Sequence, residues 1–144
     1  MTQSTLHLGH SAIDVSHDEF TRLVAALAEA DDAATAPRFE RLALHLREHF
    51  GDEDRLMRET GFPSQQCHLD EHAAVLASVE DVRRALQQGR PETARRLAHA
   101  LTGWFPEHVD AMDRGLATWA FRQRTGGAPM VLQRTAPRTA AQEA

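Results

Sequence analysis

Four stretches of the chain return an apolar residue every three or four positions, and none alternates with the two-residue period of a half-buried strand. The first carries Phe20, Val24 and Leu27 and fades in the Ala/Asp run near Ala30. Ser16, followed three residues on by Glu19, forms a capping box that opens it. The second runs through Phe39, Leu42, Ala43, Leu46, Phe50, Leu56 and Met57. Pro37 suits its first turn, where an N–H would be unpaired anyway, and Gly61 before Phe62-Pro63 supplies a left-handed stop. A third follows Ser64, with Val75, Leu76, Val79, Val82 and Leu86 on one face and Gly89 at its end. Pro91 opens the fourth, whose stripe is Leu97, Leu101, Trp104, Met112 and Trp119. Similar helix lengths and short connections predict antiparallel neighbours: an all-α, up-down-up-down four-helix bundle. An irregular arm over 1–15 leads into the bundle at 16–123, and the turn-rich 124–144 reads as a disordered tail.

Some positions on these stripes hold residues unsuited to a core. In HLREHFGDE, residues 45–53, a turn of about 100° per residue puts His49 and Glu53 inside the apolar stripe and His45 on its flank. In CHLDEH, His68 and His72 stand four apart, one turn above each other, so both imidazoles point inward and can chelate one metal. His108 follows the line of Leu101 and Trp104, and His17 that of Phe20, Val24 and Leu27. Every helix sends at least one imidazole into the core.

Composition sharpens the point. In 144 residues, 42% hydrophobic and 26% charged, there is room for one domain with a modest core, yet the chain carries nine histidines. Burying one polar side chain without a partner costs roughly 2–7 kcal/mol. Five histidines and a glutamate would together exceed a domain's net stability of about 5–15 kcal/mol. A bound metal compensates a cluster of that size. The formal net charge of −5 offers no basic field for nucleic acid or anionic lipid. No apolar run approaches the length of a membrane span, and MTQSTLHLGH lacks the basic and apolar regions of a signal peptide. One cysteine, Cys67, forms no internal disulfide, and a cytoplasmic setting is the default.

Taken together, His17, His49-x-x-x-Glu53, His68-x-x-x-His72 and His108-x-x-x-x-Asp113 resemble the seven-ligand set of the hemerythrins in order and spacing. The Gly61-Phe62-Pro63 turn before His68, and Trp104 before His108, are similar to bacterial hemerythrins in particular. The resemblance spans about residues 11 to 123. It implies a non-haem di-iron centre: His68, His72 and His108 on one iron, His17 and His49 on the other, Glu53 and Asp113 bridging, with an oxo or hydroxo third bridge. The second iron would keep one position open for O2.

The expected function is therefore reversible O2 binding, for storage, delivery or sensing, in a monomer or weak oligomer served by an electron-donor protein or reductant. Ligation rich in neutral imidazole favours ferrous iron and suits binding over oxygenase chemistry. Imidazole also suits zinc and copper, so iron follows from the resemblance. The competing readings are a di-iron redox enzyme handling peroxide or NO, and a metal- or oxygen-dependent regulatory module.

Three positions carry further expectations. On a straight helix His108 and Asp113, five apart, point about 140° from each other. A π-type turn with i→i+5 bonding would stack them, and Pro106 favours a kink near Phe105. Ala111, three after His108, is expected to face the metal cavity, where relatives of the resembled family often carry a larger apolar group. Cys67, about 100° around from His68, reads as a buried or boundary thiol, with a redox sensor as the alternative. His7, His10, His45 and His99 are bystanders in this reading.

Overall fold

The computed structural model describes residues 7–126. Its helices are α1 (Ser11–Ala28), α2 (Asp32–Thr60), α3 (Gln65–Gln87), α4 (Glu92–His108) and α5 (Arg114–Thr125), with a π-turn (Val109–Asp113) joining α4 to α5. The last three segments form one continuous rod, so the described residues make four. α1 packs against α2 and α4, and α3 against the same two. With connections this short, each helix reverses the last, and the architecture is the four-helix bundle that the periodicity predicts.

The helix ends differ in places from the expected ones, for identifiable reasons. α1 starts at Ser11, not Ser16: His10 caps it, its ring Nδ1 accepting from Ile13 N–H at 3.3 Å. The Asp14 carboxylate accepts from Leu8 and Gly9 N–H at 2.7 and 3.1 Å, and the extra turn buries Leu8 and Ile13. Ser16 is thereby free for another partner. α2 starts at Asp32 behind an Asp31 cap, whose side chain accepts from Ala34 N–H at 2.8 Å. Pro37 thus falls in the second turn, beyond the position its missing N–H favours. Gly61 ends α2 with φ 65°, a left-handed conformation that glycine adopts without strain. Of the expected tail, only 124–126 lie within the described residues, and α5 runs to Thr125.

The π-turn is where it was expected. Arg114 N–H bonds back to the Val109 carbonyl, five residues earlier, and α4 stays helical through Pro106. Because one residue is added to the turn, everything after it is rotated relative to a straight helix. Leu116, Ala117, Ala120 and Phe121 are buried beyond it, while Met112 and Trp119, which a single period places on the stripe, are only half-buried.

The core divides along the bundle axis. Phe20, Val24 and Leu27 meet Phe39, Leu42 and Leu46, Val75, Val79 and Val82, and Leu97 and Leu101 in one contiguous apolar mass. The mass reaches toward the opposite end through Leu8, Ile13 and Ala117, where Met57, Leu116, Ala120 and Phe121 are buried outside it. Between the two lies a layer of buried polar side chains.

Candidate metal centre

His17, His49, Glu53, His68, His72, His108 and Asp113 make up this layer. All seven side chains singled out in the sequence are buried; His17 and Asp113 are 0% exposed and Glu53 is 2% exposed. They fall into two overlapping groups, Glu53, His68, His72, His108 and Asp113 in one, and His17, His49, Glu53 and Asp113 in the other. Within each group the possible ligand atoms lie within 4.8 Å of one another.

The two carboxylates belong to both groups, and they divide their oxygens between them. Oδ1 of Asp113 is 2.8 Å from His68 Nε2 and 3.0 Å from His108 Nε2, while Oδ2 is 2.9 Å from His17 Nε2. Oε1 of Glu53 is 3.2 Å from His72 Nε2 and 3.4 Å from His68 Nε2, while Oε2 is 3.1 Å from His49 Nε2 and 3.7 Å from His17 Nε2. Two ligand atoms held at right angles, each about 2.1 Å from one ion, stand about 3 Å apart. Most of these separations match that edge.

The inward atoms are not bonded to each other. Both Glu53 oxygens, both Asp113 oxygens and the Nε2 atoms of His17, His68, His72 and His108 are buried without a hydrogen bond of acceptable geometry. Buried polar atoms without partners are rare in folded proteins. Here they converge on two shared points, as donor atoms around cations do. The residues present fit a pair of metal ions.

Local structure explains how the rings reach those points. The i,i+4 spacing stacks His49 over Glu53 and His68 over His72. The π-turn does the same for His108 and Asp113 across five residues. Phe50 lies flat on His72, ring centres 4.0 Å apart, and Trp104 flat on His108 at 4.4 Å. Phe105 meets His17 edge-on at 5.0 Å.

Outside the cluster, three rings are held by residues to which the sequence pattern assigns no such role: Asp54, Glu71 and Ser16, the last expected to be a helix cap. His72 Nδ1 is 2.7 Å from an Asp54 oxygen, His108 Nδ1 is 2.7 Å from a Glu71 oxygen, and His49 Nδ1 is 2.6 Å from Ser16 Oγ. With Nε2 turned to the cluster, each Nδ1–H donates outward. Trp104 Nε1 donates to the same Glu71 oxygen at 3.1 Å. The only signal for Asp54 and Glu71 is that each adjoins a ligand candidate, Glu53 or His72.

Burial and charge oppose each other in setting the protonation of these rings. Burial disfavours the charged form of His17 and His68, but the Asp113 and Glu53 carboxylates outweigh it and raise both to about 9. Burial prevails at His49, lowering it to about 4. Glu53 and Asp113 sit far below the usual carboxylate range: burial works against their charge, and the surrounding imidazoles more than offset it. Without metal, the cluster holds its two carboxylates ionised with protons on His17 and His68.

Two expectations about neighbouring residues are corrected. Ala111 is exposed, beside Phe62, Ser64 and Trp119 in a separate groove, because the π-turn rotates it away from the cluster. Cys67 is exposed, not buried or at the boundary. His45 stands outside both groups, its Nε2 3.0 Å from the Ser16 carbonyl oxygen, to which it donates when protonated there.

The fold and this layer define a metal-binding four-helix bundle with a histidine/carboxylate centre. A model of the family described as Hemerythrin HHE cation binding domain matches residues 8–120. The chain belongs to the hemerythrin family. It is 40% identical over 114 residues to a bacteriohemerythrin of Ralstonia nicotianae, covering 79% of this chain and 83% of that relative. It is 25% identical over 119 residues to a bacteriohemerythrin of Stenotrophomonas maltophilia, covering 80% of this chain and 77% of that relative. No solved structure matches the chain significantly. Among the described residues no helix is long and apolar enough to cross a membrane.

Proposed function

We propose that the chain holds two iron ions in this centre and binds O2 reversibly, for storage, delivery or sensing. His68, His72 and His108 would hold one ion and His17 and His49 the other, with Glu53 and Asp113 each giving one oxygen to either side. The observation that carries the reading is that division of oxygens: Oδ1 and Oε1 face the three-histidine group, Oδ2 and Oε2 the two-histidine group. When bound there, a pair of irons supplies reversible two-electron exchange with O2.

The side chains supply the rest. Five imidazoles against two carboxylates place little negative charge on the ions, which favours the ferrous state. Phe50, Trp104 and Phe105 pack on the imidazoles and keep water from their faces. Asp54, Glu71 and Ser16 fix ring orientation by accepting the outward N–H. The two-histidine group has four ligand candidates against five, which leaves more room for an added ligand there. The printed name of both relatives, bacteriohemerythrin, supports the same reading. A cytoplasmic protein of this kind would depend on a reductant or electron-donor protein to restore ferrous iron.

The test is the absorption spectrum of reduced, iron-loaded protein before air, after air, and after removal of oxygen, alongside a count of iron per chain. A charge-transfer band that appears and then reverses supports O2 binding. A band that decays to ferric protein with turnover of a reductant favours a redox enzyme.

A further inference from the structure

A cavity of about 280 Å³ opens between the N-terminal part of α1 and the second half of α2. Its wall on α2 is a stripe at helical spacing, His49, Asp52, Leu56 and Glu59, with Glu53 and Arg55 beside it; α1 supplies Ala12, Ile13 and Ser16, and His10 stands at the rim. Exposure falls along this wall. Asp52 and Glu59 are exposed, Leu56 and Ser16 half-buried, and His49 and Glu53 buried at the bottom. Of the seven cluster residues only His49 and Glu53 line it, and both belong to the two-histidine group.

We propose that this cleft is the port through which a divalent cation reaches the metal centre, with Asp52 and Glu59 collecting the ion at the mouth. The floor is a ligand-seeking group: both Glu53 oxygens are buried without a hydrogen-bond partner. The charge of the wall selects the cargo. Three carboxylates, Asp52, Glu53 and Glu59, stand against one guanidinium, Arg55, so the funnel attracts cations and repels anions. Arg55 is itself tied to Asp52 at 2.9 Å, which leaves Glu59 as the carboxylate of the mouth with no cation of the wall bound to it. The gradient of burial then acts on hydration: an ion is drawn in while wet and meets Ser16, His49 and Glu53 as water is stripped from it. The groove on the other side of the molecule, by Phe62 and Trp119, touches none of the seven residues. The proposal rests on the cluster being a metal centre, and not on which metal or gas it serves.

The experiment follows cobalt(II) uptake by metal-free protein through the visible bands that the ion gains on binding nitrogen and oxygen ligands. Asp52→Asn with Glu59→Gln should slow uptake several-fold at an ionic strength of about 0.01 M, where charges act over about 30 Å, and much less at 1 M. Ala12→Trp, which fills the mouth without changing charge, should slow uptake at every ionic strength. Glu80→Gln with Asp81→Asn removes the same charge from α3, about 12 Å or more along the helix from His72, and should load at the wild-type rate. Cobalt bound at equilibrium and the melting temperature should be unchanged in all three. Wild-type rates in both port variants, or equal slowing by the α3 control, would overturn the port. Failure of the wild-type protein to bind cobalt at all would instead overturn the metal centre itself.

Discussion

The Glu71 carboxylate lies 2.7 Å from Nδ1 of His108, so a charged acceptor takes the proton of a ring whose other nitrogen faces the metal centre. Asp54 stands in the same relation to His72, whereas His49 has only the neutral hydroxyl of Ser16. A charged acceptor makes the imidazole a stronger donor, so the three-histidine side should hold its metal the more strongly of the two. Glu71→Gln or Asp54→Asn should weaken metal retention on that side by roughly 10–100-fold, the usual effect of such outer partners. Ser16→Ala should have the smaller effect. Metal content after graded chelator challenge measures both, and equal losses from all three variants would contradict the asymmetry.

Removing a ring is harsher than loosening it. His72→Ala deletes a buried donor 3.2 Å from Glu53 and should leave the protein with clearly less than its full metal. His45→Ala, outside both groups, should load almost normally. Iron analysis of the two purified variants decides the matter. Loss of metal from His45→Ala alone would mean that the wrong imidazole had been assigned to the centre.

The protonation of His17 and His68 ties metal and pH together. Both are raised to about 9, above the ordinary histidine value of about 6.5. Their contribution to the stability of the metal-free protein is fully present below about 6.5 and is lost as pH rises through about 9. His49, lowered to about 4, has the opposite sign, and its contribution is lost as pH falls from about 6.5 toward 4. Metal must displace the protons on His17 and His68, so its affinity should rise as pH increases toward 9 while the empty protein weakens. Calorimetry of loading near neutral pH, in two buffers of different ionisation enthalpy, should show these two residues releasing about two protons per chain. Loading without proton release would count against ionised carboxylates paired with imidazolium in the empty centre.

Ala111 provides a negative prediction. It is exposed in a groove with Phe62, Ser64 and Trp119, so Ala111→Leu should change neither metal content nor the decay of any oxygenated band. A slower decay in the variant would show that this position lines the path to the centre after all.

The helices were legible because each buried face keeps one period over several turns, and His49, Glu53, His68 and His72 were legible because they interrupt such faces at i,i+4 spacing. Asp54, Glu71 and Ser16 were not, since polar residues on the flank of a helix are ordinary and only the fold shows which ring each one meets. Ser16 was moreover misassigned as a cap, because Leu8, Ile13 and Asp14 together add an earlier turn that no local motif announces. Beyond His108 a single helical period slips by one residue: it places Met112 and Trp119 on the buried face, where the structure puts Asp113 and Ala120. The spacing of His108 and Asp113 signalled the π-turn, but its effect on Ala111 and the residues downstream needed the geometry itself.

The polar layer also divides the molecule's cooperativity. Met57, Leu116, Ala120 and Phe121 lie outside the main core, beyond a level where seven ionisable side chains interrupt it and where Leu8, Ile13 and Ala117 carry it past. A loaded centre rivets four rods together at that level, and an empty one leaves the far end held by that thinner apolar contact and by the pairing of Glu53 and Asp113 with His17 and His68. Amide hydrogen exchange should accordingly show two tiers of protection in the metal-free protein, with residues around Met57 and Leu116 opening at lower free energy than those around Leu46 and Val79. Metal should merge the tiers and, at a thousandfold excess over its dissociation constant, add about 4 kcal/mol to the whole. The bundle is then one folding unit or two according to what its middle contains.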